Sequence, residues 1–140
     1  MRLLVIAFVA VTLGQPAFPS TGDWTASYRG TTYVRLALAD SPAGPQGTMS
    51  IGQSIHVDKA GDVDSATAAS STLTPMLDAR WNGAVLSFGI NEGNDIDRFE
   101  FRLIDANHAE LTLILSQDQR QELAADQIPL PKPFRLTKSR

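Results

Sequence analysis

From Trp24 onward, apolar and polar residues mostly alternate with a period of two. Trp24, Ala26 and Tyr28 alternate with Thr25, Ser27 and Arg29, the pattern of a strand with one inward face. Val34, Leu36 and Leu38 repeat it against Tyr33, Arg35 and Ala37, and Arg29-Gly30-Thr31-Thr32 predicts a hairpin between the two. Residues 40–47 hold two prolines and two glycines and predict a turn. Further strands are expected at 48–51 and 54–57, with Gly52 as a turn or bulge between them. Leu86, Phe88 and Ile90 follow the hairpin dipeptide Asn82-Gly83. Phe99, Phe101 and Leu103, then Leu111, Leu113 and Leu115, alternate in the same way, and Phe134 and Leu136 mark a final strand.

Three stretches lack this clarity. Residues 58–71 are small and polar and read as a long loop, with room for one short helix at 65–69. The run 72–81 contains Pro75, which predicts an edge position or a break. Residues 117–127 tolerate a helix but carry no apolar stripe, and Pro129, Pro131 and Pro133 predict an extended approach to the last strand.

About eight strands joined by short turns, with no βαβ unit, imply an all-β antiparallel meander. Curling the first strand onto the last would protect its edges. The expected fold is a small up-and-down β-barrel, and a two-sheet β-sandwich is the alternative. Leu36, Leu86, Phe88, Phe99, Phe101, Leu111, Leu113, Phe134 and Leu136 are the expected core.

The N-terminus adds an expectation of export. Leu3 to Leu13 is an apolar run broken only by Thr12, preceded by Arg2 and ended by Gly14, Gln15 and Pro16. It is shorter than the roughly 20 residues a membrane-spanning helix needs, and it has the layout of a signal peptide. Cleavage after Ala17 or after Gly14 fits the small residues there. The expected organisation is a signal peptide at 1–17 and one β-barrel domain at 18–140, secreted or periplasmic, with no membrane span once the leader is gone. The chain has no cysteine, so disulfides, thiol nucleophiles and cysteine-based lipid anchoring are excluded. A net charge of -3 argues against nucleic acid as a partner.

Candidate chemistry is sparse. Asp58, Asp62 and Asp64 cluster in the small-residue loop but lack the spacing of a calcium loop. Glu92, Asp95 and Asp97 sit among Asn91, Gly93 and Asn94, where turn formation alone explains them. His56 and His108 stand outside any metal or catalytic spacing, and no G-x-S-x-G elbow is present. Arg29, Arg35, Arg80, Arg98 and Arg102 fit outward strand faces. The aromatic set Trp24, Tyr28, Tyr33 and Trp81 would suit either core packing or an apolar ligand pocket. No catalytic residue, metal ligand or cofactor follows from the residues.

The heptapeptide Gly22-Asp23-Trp24-Thr25-Ala26-Ser27-Tyr28 resembles the opening strand of small lipocalin-like or calycin-like exported β-barrels. Such barrels also occur attached to secreted bacterial hydrolases. Gly47-Thr48-Met49-Ser50-Ile51, Leu86-Ser87-Phe88, Phe99-Glu100-Phe101-Arg102-Leu103 and Pro133-Phe134-Arg135-Leu136-Thr137-Lys138 resemble their later strands and tail. Ala26 stands where those barrels carry glycine, and Ala109-Glu110-Leu111-Thr112 lacks the usual glycine. The resemblance implies a barrel and a non-catalytic accessory role, and it carries over no catalytic residue. The functional expectation is a binding or accessory module for a small apolar ligand or a protein partner. The alternatives are a structural or protein-interaction domain without a small ligand, and a secreted hydrolase.

Overall fold

The computed structural model describes residues 19–139, and the expected signal peptide at 1–17 lies outside them. β1 (Gly22–Tyr28) and β2 (Thr31–Ser41) form the hairpin expected around Arg29-Gly30. β3 (Gly44–Ile51) pairs back along the whole of β2, from Ser41↔Gly44 to Val34↔Ile51. β8 (Val85–Glu92), β9 (Asp95–Leu103) and β10 (His108–Ile114) continue as a meander, and β11 (Phe134–Lys138) lies between β10 and β1. The run containing Pro75 splits into β6 (Thr74–Pro75) on β3 and β7 (Leu77–Asn82) on β8.

The expected closed, eight-stranded lipocalin-like barrel is not what the chain forms. Nine strands make one sheet in the order β6-β3-β2-β1-β11-β10-β9-β8-β7. First and last strands do pair, through Trp24↔Lys138 and Thr25↔Thr137, but this contact falls in the middle of the sheet. Its two edges are β6 and β7, and no ladder joins them among the described residues. Pro75 has no N–H to give a ladder, and the chain crosses between the edges at Met76, whose N–H bonds the Gly47 carbonyl at 2.8 Å. The sheet is therefore open, and the two-sheet alternative describes the molecule better.

The second sheet pairs the strand expected at 54–57 with part of the region read as a loop. β4 (Ile55–Val57) and β5 (Val63–Ala66) pair as a hairpin, Ile55↔Ala66 and His56↔Ser65, in place of the permitted short helix. Asp58 makes the turn: its carboxylate accepts the N–H groups of Ala60 and Asp62. The hairpin is tied to the main sheet by Gly52 N–H to the Tyr33 carbonyl and Ala69 N–H to the Thr32 carbonyl, at 2.8 and 2.9 Å.

The core lies inside the curl of the nine-stranded sheet. Leu36, Leu86, Phe88, Phe99, Phe101, Leu111, Phe134 and Leu136 are buried there, and Leu113 is half-buried against them. Trp24, Tyr33, Val34, Met49 and Ile90 complete it. Each such side chain contributes roughly 1.5–3 kcal/mol from burial before conformational entropy is counted. α1 (Gln117–Ala125) stands apart from this core, with no buried residue.

Candidate functional site

The four aromatic residues do not converge on one pocket. Trp24 is fully buried, its indole N–H donates to the Ser20 carbonyl at 2.9 Å, and its ring meets Phe101 edge-on at 5.1 Å. Trp81 also meets the Phe101 ring edge-on, at 6.2 Å. Tyr33 packs edge-on against Phe134 at 5.6 Å. Tyr28 is half-buried beneath the Arg29 guanidinium, 5.3 Å from its ring. Phe88 and Phe99 stack at 5.6 Å and fill the space beside this cluster. Aromatic rings thus occupy the inside of the curl.

Open space lies instead between the second sheet and the long connection from β10 to β11. An apolar cleft of about 550 Å³ is floored by Ile51, Leu113 and Phe134. One wall is β4, with Ile55, His56 and Val57, and the other is Leu123 of α1 with Gln127, Ile128, Pro129 and Pro131. No lysine, arginine or carboxylate lines it. α1 is started by a full capping box, in which Ser116 Oγ accepts the Gln119 N–H and Gln119 Oε1 accepts the Ser116 N–H. It ends where Gln127 turns into the left-handed region and Ile128 N–H bonds the Leu123 carbonyl.

A second, polar cleft of about 450 Å³ adjoins the first across Phe134, which lines both. Tyr33, Ser27, Asp62, Glu110, Lys132 and Arg135 border it. Burial pushes the Tyr33 phenol above its ordinary value. Pro131 lines the apolar cleft and the next two residues, Lys132 and Pro133, line the polar one, where Lys132 meets the β4–β5 turn. Lys132 N–H bonds the Gly61 carbonyl at 2.9 Å, and its ammonium lies 3.2 Å from the Asp62 carboxylate.

The remaining candidates stand singly. His56 faces Asp64 across the second sheet, and His108 Nδ1 lies 2.8 and 3.0 Å from the two Asp105 oxygens; both pairs are exposed. The Asn107 N–H, and then the His108 ring, hold the Asp105 carboxyl below its ordinary value. Asp58 is spent on its turn, Asp62 on Lys132 and Asp64 on His56. Glu92 and Asp95 face each other across the exposed β8–β9 turn, and Asp97 is the β9 partner of Ile90. Arg102 lies between Val85 and Glu110, Arg98 between Gly89 and Ile114, Arg35 between Thr25 and Ser50, and Arg80 opposite Ser87. Among the described residues, no three metal-ligating side chains gather, and no helix is long and apolar enough to cross a membrane.

The apolar cleft could not be read from the sequence because its walls are the three-residue strand Ile55–Val57 and a helix without an apolar stripe, segments far apart in the chain. Leu123, Ile128 and the alternating prolines were its one signal, apolar residues in a segment with no strand to join. No family model, curated protein or solved structure matches this chain. With no family match and an open sheet, the lipocalin-like resemblance of the strand motifs reflects shared alternation and turn chemistry.

Proposed function

We propose that this chain is a protein-interaction domain without an internal small ligand, and that its apolar cleft receives an uncharged, apolar segment of a partner protein. The observation that carries this reading is where apolar surface is left over. The inside of the main sheet is filled by Trp24, Phe88, Phe99 and Phe101, which argues against a ligand held there. An apolar side chain remains uncovered at the cleft itself, where Ile128 of its outer wall is 48% exposed. Among the described residues, no lysine, arginine or carboxylate lines the cleft, which favours an apolar occupant, because a charged group entering there would lose its water and find only the Asp64-paired His56 as a polar ring nearby.

The test is site-specific photocross-linking in the cells that make the protein. A photoreactive residue at Ile128 should yield one discrete adduct. The same residue at Ile104, exposed at the opposite end of β10, should not. Leu123→Asp should abolish the Ile128 adduct while the fold is retained by circular dichroism. Equal adducts from both positions, or an Ile128 adduct that survives Leu123→Asp, would reject the cleft as the docking site.

A further inference from the structure

We propose that residues 116–133 form a strap that opens as one unit, latched at Gly61 and Asp62, and that its opening joins the apolar and polar clefts into a single groove. This rests on the reading of the apolar cleft as the partner site and adds a means of controlling access to it. The strap leaves the main sheet after β10 and rejoins it at Phe134, the first residue of β11. Between those points no side chain of α1 is buried. Nine helical residues are too few to hold a helix by propensity alone, so α1 depends on its cap and on whatever its ends are tied to.

Those ties are few. Among the described residues, the strap's hydrogen bonds are made within itself or to Leu115 at its root, except those of Lys132. The Lys132 N–H to Gly61 bond and the Lys132–Asp62 ion pair are the whole latch. The ion pair is more than half exposed on both sides, so salt screens it. No ladder adds to these ties: among the described residues, β4 pairs only with β5.

Gly61 sets how closely the latch can shut. Its φ of +90° lies in the left-handed region, and a Cβ there would stand 2.7 Å from the Leu130 carbonyl oxygen and 3.2 Å from the Lys132 nitrogen. Any side chain at this position pushes the strap outward. The strap itself runs between the two clefts, because Pro131 lines the apolar one, Lys132 and Pro133 line the polar one, and Phe134 lines both. Lifting the strap therefore exposes a continuous groove running from Ile55 and Leu113 over Phe134 to the Tyr33 side.

Amide hydrogen exchange on the full chain, followed by NMR over a series of sub-denaturing urea concentrations, tests the strap. In the wild type, the α1 and Lys132 amides should exchange through an opening insensitive to urea, while Phe101 and Leu111 amides follow global unfolding. Gly61→Ala should speed strap exchange at least about tenfold and leave the β9 and β10 amides unchanged. If that variant does not fold, Asp62→Asn, or wild type moved from low to high salt, gives the same readout at about two- to fivefold. Strap amides that share the urea dependence of Phe101, or strap exchange unmoved by every latch change, would overturn the proposal. A strap that opens while Ile128 yields no specific adduct would instead reject only the partner site.

Discussion

Single ionisable residues report on the fold through pH. Tyr33 is buried against Phe134, and its phenol is raised above the ordinary 10.0. Above pH 10 the unfolded chain loses this proton while the folded chain keeps it. Stability should therefore fall as pH rises from 10.0 and level off beyond the raised value. Urea denaturation at a series of alkaline pH values should show this slope in the wild type and a shallower one in Tyr33→Phe. Asp105 shows the opposite sign. Its carboxyl is lowered from 3.8 by the Asn107 N–H and by His108, so the turn's stabilisation is present above 3.8 and is lost as pH falls through the lowered value. An NMR titration should place the Asp105 midpoint below the ordinary 3.8, and Asn107→Pro, which removes the first donor, should raise it part of the way back while the His108 contact remains.

Among the elements, α1 owes its existence to its ends. With a capping box at its start and no buried residue, the helix rests on its cap and on the tie that its segment makes through Lys132. Ser116→Ala removes the acceptor for Gln119 N–H, a loss of about 0.5–2 kcal/mol for a helix start. Because α1 buries nothing, this loss should appear as faster exchange of the α1 amides, with the denaturation midpoint of the whole molecule nearly unchanged. A fall in global stability by the full amount would mean that the helix is coupled to the core. The β4–β5 hairpin has a different basis. Asp58 and Gly61 give it a tight turn, and Ile55, Val63 and Ala66 pack against the core, so a small polar segment becomes a sheet once that surface is there to cover.

For the whole molecule, Phe101 is the junction. It lies on β9 and meets both Trp24 of β1 and Trp81 of β7 edge-on, so it couples the middle of the sheet to one edge. Phe101→Ala should cost about 3–5 kcal/mol, read as a lowered urea midpoint, and should change the fluorescence of both tryptophans. A loss below about 1 kcal/mol would mean that the two halves of the curl are supported separately. The open edges matter at the same scale. β6 has only two residues and contains Pro75, so that edge offers little to pair with, while the six-residue edge β7 is interrupted by a bulge between Leu77 and Arg80.

Period-two alternation by itself determined most of the strands, because an antiparallel sheet with one wet face imposes that period on whatever chain forms it. Trp24 to Ala26, Val34 to Leu38, Leu86 to Ile90, Phe99 to Leu103 and Leu111 to Leu113 could be read directly, and with them the β-rich class and most of the core. The same alternation is silent on closure. Whether the outer strands meet depends on hydrogen bonds between residues far apart in the chain, and here Pro75 and the crossing at Met76 leave the sheet open. Alternation is equally silent on Tyr33 and Trp24, whose aromatic rings suit a pocket or a core until their neighbours are known. The apolar cleft was decided entirely by tertiary structure. Its walls are a three-residue strand and a helix without an apolar face, and they make one site only because Lys132 is held against Gly61 and Asp62, some seventy residues away in sequence.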